Sequence, residues 1–289
     1  MKRAILTLYR LRLPAGYIAV AILLGNAIVG SSLTGDGVFQ VRLFLVFTAL
    51  TVTVVCVLLS LFIPHWLPAP SSRTVHAPVE GRWLGLNSPA SKVPSHGVRG
   101  YGQTYAIDIV YDPLEATRPT FGGRVMRNAR EYPAFGQPVF AMIDGTVVRA
   151  SDWRRDHRAR SNWLGFIYLM VEGMLREIGG PGFIVGNHVT IRSDDGVYAT
   201  VAHMQRGSLT VSTGDRITAG MQIGRCGNSG NSSEPHVHAQ LMDNVSLWTA
   251  QGIPMAFAAI TIGDDPRPVD TLPENENHMT AQITTQSKS

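Results

Sequence analysis

The sequence predicts a mostly β protein, an antiparallel sheet or sandwich with one helical insertion, preceded by an N-terminal pair of transmembrane helices. Three observations lead there. Two long uncharged apolar runs lie near the N-terminus. Past residue 79, short β-type runs alternate with Gly, Asn and Asp turns, and a single apolar, helix-compatible stretch interrupts that rhythm.

The apolar runs, residues 13–33 and 43–63, each hold 21 residues without Asp, Glu, Lys or Arg. A bilayer crossing takes roughly 20 helical residues, and a buried core helix of that length seldom lacks a polar face. The first run contains Gly16, Gly25, Asn26 and Gly30 and follows Lys2, Arg3, Arg10 and Arg12, so it also has features of a signal-peptide segment. Residues 1–64 are therefore expected to form a membrane anchor. Residues 65–78, rich in Pro and Ser, are expected to form an extended tether with Trp66 at the interface.

The β-type runs GRWLGL, TYAIDIVY, PVFAMIDGTVVRA, HVTIRS, VYATVAHM and HVHAQLM assign a single domain to residues 79–262. Ser193-Asp194-Asp195-Gly196 and Gly214-Asp215 mark tight connections. The helical insertion spans 162–178 and ends at Gly179-Gly180-Pro181-Gly182; packing on the sheet is its plain role, and a lid or a membrane contact is the alternative. Arg154, Arg155, Arg158 and Arg160 read as a solvated basic loop. Residues 263–289 turn polar and are expected to lack fixed structure.

The cysteines, Cys56 in an apolar run and Cys226 in the β domain, predict no disulfide. A net charge of +4, with no dense Lys/Arg stripe interleaved with aromatics, argues against nucleic acid as a partner.

The candidate chemistry begins with His236 and His238. A His-x-His pair on a strand projects both imidazoles to one face. Asp108 stands between Ile107 and Ile109, and a carboxylate in a β-branched strand is costly to bury unless it is paired or coordinates a cation. His96 precedes that strand, and His203 ends the run starting at Val197. His65, His76, His157, His188 and His278 are assigned no chemistry.

Taken in order, these stretches resemble the lysostaphin-type zinc endopeptidases of peptidoglycan, over about residues 81–243. The resemblance rests on GQPVFAMIDGTVV with Asp144-Gly145, on GNHVTI, on the strand ending in Ala202-His203-Met204, and on GDRITAGMQIG and GNSG leading into His236 and His238. It implies Zn2+ held by His96, Asp108 and His238 with one open position, and proton handling by His203 and His236. It also implies a peptidoglycan peptide substrate; the alternative is a non-catalytic wall-binding or hydrolase-activating module on the same fold.

Three departures from the family pattern stand out. Eleven residues separate His96 from Asp108 where the common form has three, with the glycine-rich GVRGYGQ between them. Ala239 and Gln240 replace the usual aromatic and glutamate, and Glu234 stands where glycine is common. Membrane sidedness pulls two ways. A basic N-terminus followed by two crossings returns the domain to the cytoplasm, whereas a wall substrate requires the outer side, which is the expectation adopted.

Overall fold

The computed structural model describes residues 2–33, 35–67 and 70–282 and divides into two compact units, Met1–Ala69 and Pro70–Ser289. In the first unit α1 (Lys2–Val29) and α2 (Asp36–Phe62) form a helical hairpin. Gly16 of α1 lies against Cys56 of α2, where even a methyl group would stand only 3.9 Å away, the close approach that small residues permit. Arg42 ties the hairpin together, Nε donating to Asn26 Oδ1 at 3.1 Å and Nη1 to the Leu33 carbonyl at 3.2 Å. Both helices are long and apolar enough to cross a membrane. They extend beyond the uncharged runs at their N-terminal ends because Arg10, Arg12 and Arg42 are good helix formers.

The second unit is built on a twelve-stranded sheet. Its centre runs, in spatial order, Gly81–Leu86, Ile107–Tyr111, Val237–Met242, Tyr198–Ala202, His188–Arg192 and Gly145–Ser151, every pair antiparallel. Alternation sorts the side chains by face. Val237, Ala239 and Leu241 enter the main core together with Ile107, Ile109, Val189 and Val201. Each such Val, Leu or Ile removed from water contributes about 1.5–3 kcal/mol. His238 and Gln240, which alternate with those core residues, are equally buried, and therefore need polar partners.

The helical insertion is α3 (Trp163–Ile178), capped by the Asn162 side chain, which accepts from the Gly165 N–H at 3.0 Å. A short helix, α4 (Pro181–Val185), follows it.

Three expectations need correction. The tether residues 65–78 include a strand, Arg73–Val75, that pairs in parallel with Met255–Phe257, and Val75 and Ala77 are buried. The polar tail carries strands Asp265–Thr271 and His278–Ala281, the latter paired with Gly81–Leu86 and burying Met279 beside Trp83. Sheet edges supply backbone partners regardless of side-chain polarity, which is why a polar composition did not prevent strand formation; residues 283–289 lie outside the described residues. Finally, the basic run is not uniformly solvated, because Arg160 is buried and paired with Glu172 of α3.

Candidate active site

Sheet register does most of the positioning. Asp108 and His238 are directly opposed on adjacent antiparallel strands, and Ala202 opposes His238 on the other side. Opposed residues share a face, so the Asp108 carboxylate meets His238, and His203 arrives one residue past its strand. His236 lies two residues before His238, on the same face. The structure thus gathers His96, Asp108, His203, His236 and His238 in one place, all but His96 buried.

His96 reaches the cluster through the glycine-rich loop. The Ser95 N–H donates to the Thr104 carbonyl at 3.1 Å, pinching residues 96–103 into a closed excursion. Gly97 and Gly102 in that loop have φ +74, a conformation natural to glycine. The long spacing to Asp108 is thereby absorbed, and His96 Nε2 stands 3.0 Å from Asp108 Oδ2. Asn87 Nδ2 donates to the same oxygen at 2.8 Å.

The hydrogen-bond network fixes the imidazole tautomers. Gln240 Nε2 donates to the Tyr101 carbonyl at 3.0 Å, so its Oε1 accepts from His238 Nε2–H at 2.8 Å. His238 Nδ1 then carries a lone pair and points at Asp108 Oδ1, 2.8 Å away. Likewise the Ser95 hydroxyl donates to the Gln103 carbonyl at 3.3 Å and accepts from His96 Nδ1–H at 3.0 Å, leaving His96 Nε2 as a lone pair toward Asp108. Two bare nitrogens aimed at one buried carboxylate repel it unless a cation lies among them. Their donor atoms all lie within 4.8 Å of one another, and the donor set fits a metal ion that takes nitrogen and carboxylate ligands.

His203 and His236 face each other, ring centroids 4.7 Å apart. His203 Nδ1–H donates to the Ser229 carbonyl at 2.8 Å, leaving Nε2 basic. Its backbone sits at φ +60, held there by bonds from its N–H to the Val185 carbonyl at 3.0 Å and to its carbonyl from the Gly227 N–H at 3.1 Å. His236 Nδ1–H donates to the Glu234 carbonyl at 2.7 Å, and its Nε2 lies 3.4 Å from Asp108 Oδ1.

Burial opposes the ionised form of Asp108, but where the surrounding histidines carry protons, the charges of His96 and His236 and the hydrogen bonds of His236 and His238 outweigh it and hold the carboxyl well below its usual range; the lone-pair forms described above are the ones that a cation in their place selects. Burial also works against the charged form of His236, and Asp108 overcomes it, raising this imidazole. His203 moves the other way: burial first, then the neighbouring His236 and His238, keep it well below an ordinary histidine.

Several supporting residues went unnoticed in the sequence. Asn187, fully buried, accepts from the Arg154 N–H at 2.8 Å and donates to the Arg154 and Met204 carbonyls at 2.7 and 3.2 Å. Its own N–H donates to Ser229 Oγ at 3.0 Å, which locks the loop that orients His203. Gln240 stands in the sequence as a departure from the family pattern, and its place two residues after His238 on one strand is the signal that points to its role. His157, His188 and His278 lie outside the cluster, with partners Gly230, Gly186 and Asp112.

Comparison with known proteins finds relatives for part of the β unit. Residues 129–248 match Peptidase family M23; this range includes His203, His236 and His238, whereas His96 and Asp108 join the site through the sheet register and the loop described above. The glycyl-glycine endopeptidase ALE-1 of Staphylococcus capitis is 38% identical over 87 residues, 30% of this chain and 24% of that protein. Lysostaphin of Staphylococcus staphylolyticus is 37% identical over 86 residues, 29% of this chain and 18% of that protein, so the match spans a quarter or less of either relative. Among solved structures, the catalytic domain of lysostaphin from Staphylococcus simulans is 20% identical and covers 60% of this chain and 88% of that one, with TM-score 0.32. A zinc-containing peptidase from Vibrio cholerae is 17% identical and covers 70% and 37%, with TM-score 0.29. Within its β unit the chain thus carries a segment of Peptidase family M23, residues 129–248, and it shares a segment similar to the glycyl-glycine endopeptidase ALE-1 and lysostaphin.

Proposed function

We propose that this protein is a membrane-anchored, zinc-dependent endopeptidase that hydrolyses peptide bonds in peptidoglycan cross-bridges or stem peptides. The observation that carries the reading is the pair of lone-pair nitrogens, His96 Nε2 and His238 Nδ1, aimed at the two oxygens of Asp108. Those three residues would hold the cation. A zinc ion bound by three protein ligands supplies Lewis acidity toward a scissile carbonyl and acidifies water toward neutral pH.

The remaining work belongs to the imidazoles. His203, kept neutral by burial, presents Nε2 as a proton acceptor, and its Nδ1–H bond to Ser229 fixes that orientation. His236, raised by Asp108, is the imidazole suited to donate a proton or a hydrogen bond to developing negative charge. A name such as glycyl-glycine endopeptidase, carried by one relative, supports a peptide bond as the target. The two long apolar helices support anchoring, and a wall substrate places the β unit on the outer side of the membrane.

The test is cleavage of purified peptidoglycan, with products identified by mass spectrometry, by the detergent-solubilised full chain and by its His203→Ala variant. New amine termini released by the first and absent with the second support the reading. Intact peptides with both, in a zinc-loaded sample, would refute it.

A further inference from the structure

α3 is amphipathic in the reverse sense. Gly165, Leu169 and Gly173, spaced four apart, turn toward the body of the unit. A Cβ at Gly165 would come within 2.5 Å of the Val125 carbonyl oxygen, so the helix lies flush because this position has no side chain. The acidic Glu172 also turns inward, paired with the buried Arg160 and, at 2.8 Å, with Arg176. What faces outward is apolar: Leu164, Ile167, Val171, Met174, Leu175 and Ile178, at i, i+3, i+4 and i+7 spacing, are between 48% and 80% exposed. Trp163 and Tyr168 extend the same face. A soluble domain seldom leaves so long an apolar stripe in water.

Beside this helix lies a cavity of about 390 Å³ lined by Arg154, Arg155, Arg176, Arg206, Trp153 and Phe183. The Arg154 guanidinium stacks over Trp153 and Phe183, 4.2 and 4.4 Å from the ring centroids, and its buried Nε has no hydrogen-bond partner. The nearby carboxylates are already engaged. Asp152 accepts from the Gly207 and Leu209 N–H groups, and Asp156 from those of Arg206 and Asn228. The cavity therefore offers positive charge and hydrogen-bond donors to an anion, next to a stripe that seeks hydrocarbon.

We infer that α3 and this arginine cavity together form a monolayer-binding surface for an anionic phospholipid bilayer, with the apolar stripe in the acyl boundary and the guanidiniums on headgroup phosphates. The inference rests on the anchoring part of the function proposed above. α2 ends at Phe62 and the first strand begins at Arg73, so residues 63–72 alone connect a span to the β unit, at most about 35 Å of extended chain. A bilayer is the apolar phase that such a tether keeps within reach, and Trp163, Trp153 and Tyr168 are the residue types enriched at its interface. Docked in this way, the β unit would hydrolyse its substrate at the membrane surface rather than at a distance from it.

Site-directed spin labelling of the full chain tests this. Nitroxides are placed singly at Leu164→Cys, Ile167→Cys, Val171→Cys and Leu175→Cys in a Cys56→Ala background, with Val269→Cys on the exposed Asp265–Thr271 strand as the aqueous control. Samples are reconstituted in phosphatidylcholine nanodiscs with and without phosphatidylglycerol. The expected result is several-fold greater collision with oxygen than with a water-soluble nickel chelate at the four helix sites, and the reverse at 269. The bias should grow with phosphatidylglycerol and shrink in Arg154→Gln/Arg155→Gln. Helix sites as nickel-accessible as 269 would overturn the inference. Sites shielded from both reagents would also overturn it, by showing a protein partner on the face. Bound zinc and peptide cleavage are measured on the same samples; their loss with the oxygen bias intact would sink the peptidase reading alone.

Discussion

Asp108 and His238 stand opposite each other on adjacent strands, with Asp108 Oδ1 2.8 Å from His238 Nδ1, and the Gln240 amide commits the His238 proton to the far side of the ring. The pair is thus set for a cation rather than for a hydrogen bond between its members.

Gln240→Leu removes the acceptor that fixes the His238 tautomer while preserving volume. Outer partners of metal-bound histidines contribute about 10–100-fold in affinity, so zinc competition with a chelator should show a loss in that range. Gln240→Glu keeps an acceptor toward His238 and should bind far more tightly than Gln240→Leu. Equal affinities for the two variants would show that Gln240 does not orient the ring.

Gly186 has φ +69, and a Cβ there would lie within 2.7 Å of the Ser229 and Gly230 backbone. Gly186→Ala should therefore push away the loop whose Ser229 carbonyl holds His203. The expected cost is about 1–3 kcal/mol of stability from the backbone conformation alone, seen as a lower melting temperature. A larger fractional loss of kcat than of zinc content should accompany it. Unchanged kcat would break the link between this glycine contact and His203.

Arg160 has a side chain only 3% exposed and is paired with Glu172. Removing one partner of a buried pair typically costs about 3–5 kcal/mol because the other charge stays uncompensated. Glu172 is partly exposed, so Glu172→Gln should fall toward or below the lower end of that range and loosen α3, read as faster amide exchange across Trp163–Ile178. Exchange unchanged in α3 would show that the pair does not dock the helix.

His157 and His188 are both lowered by burial first; His157 is lowered further by Arg160, and His188 by Arg149 and Arg154. A folded pKa below the unfolded value, about 6.5, means that the unfolded chain binds more protons in between. Stability from these groups is then complete above roughly pH 6.5 and is lost as pH falls through the folded pKa values. The melting temperature should drop on acidification from neutral pH, and His188→Asn should flatten the decline. A pH dependence of the melting temperature that is the same in His188→Asn as in the unaltered protein would contradict the assignment.

The sequence made the centre of the sheet legible because alternation is strong there. Val237, Ala239 and Leu241 alternate with His236, His238 and Gln240, and Ile107 and Ile109 flank Asp108, so the faces could be sorted before any pairing was known. Less was legible where backbone bonding, not side-chain pattern, decides. The strands at Arg73–Val75 and Asp265–Thr271 carry mostly exposed residues and exist because sheet partners accept them. The apolar content of α3 was plain, but its orientation was not, since Gly165 and Gly173 determine which face can approach the domain. The network of Asn187 and Ser229 joins residues 42 positions apart, and no local pattern signals such a contact.

The proposed chemistry needs a single zinc held by His96, Asp108 and His238, which can be counted by elemental analysis of the purified full chain alongside its Asp108→Asn and His238→Ala variants. The expected result is about one zinc per chain in the unaltered protein, and a fall to a small fraction of that in each folded variant, because each change removes one of three ligands. A folded unaltered chain that takes up no zinc, or variants that retain a full equivalent, would contradict it.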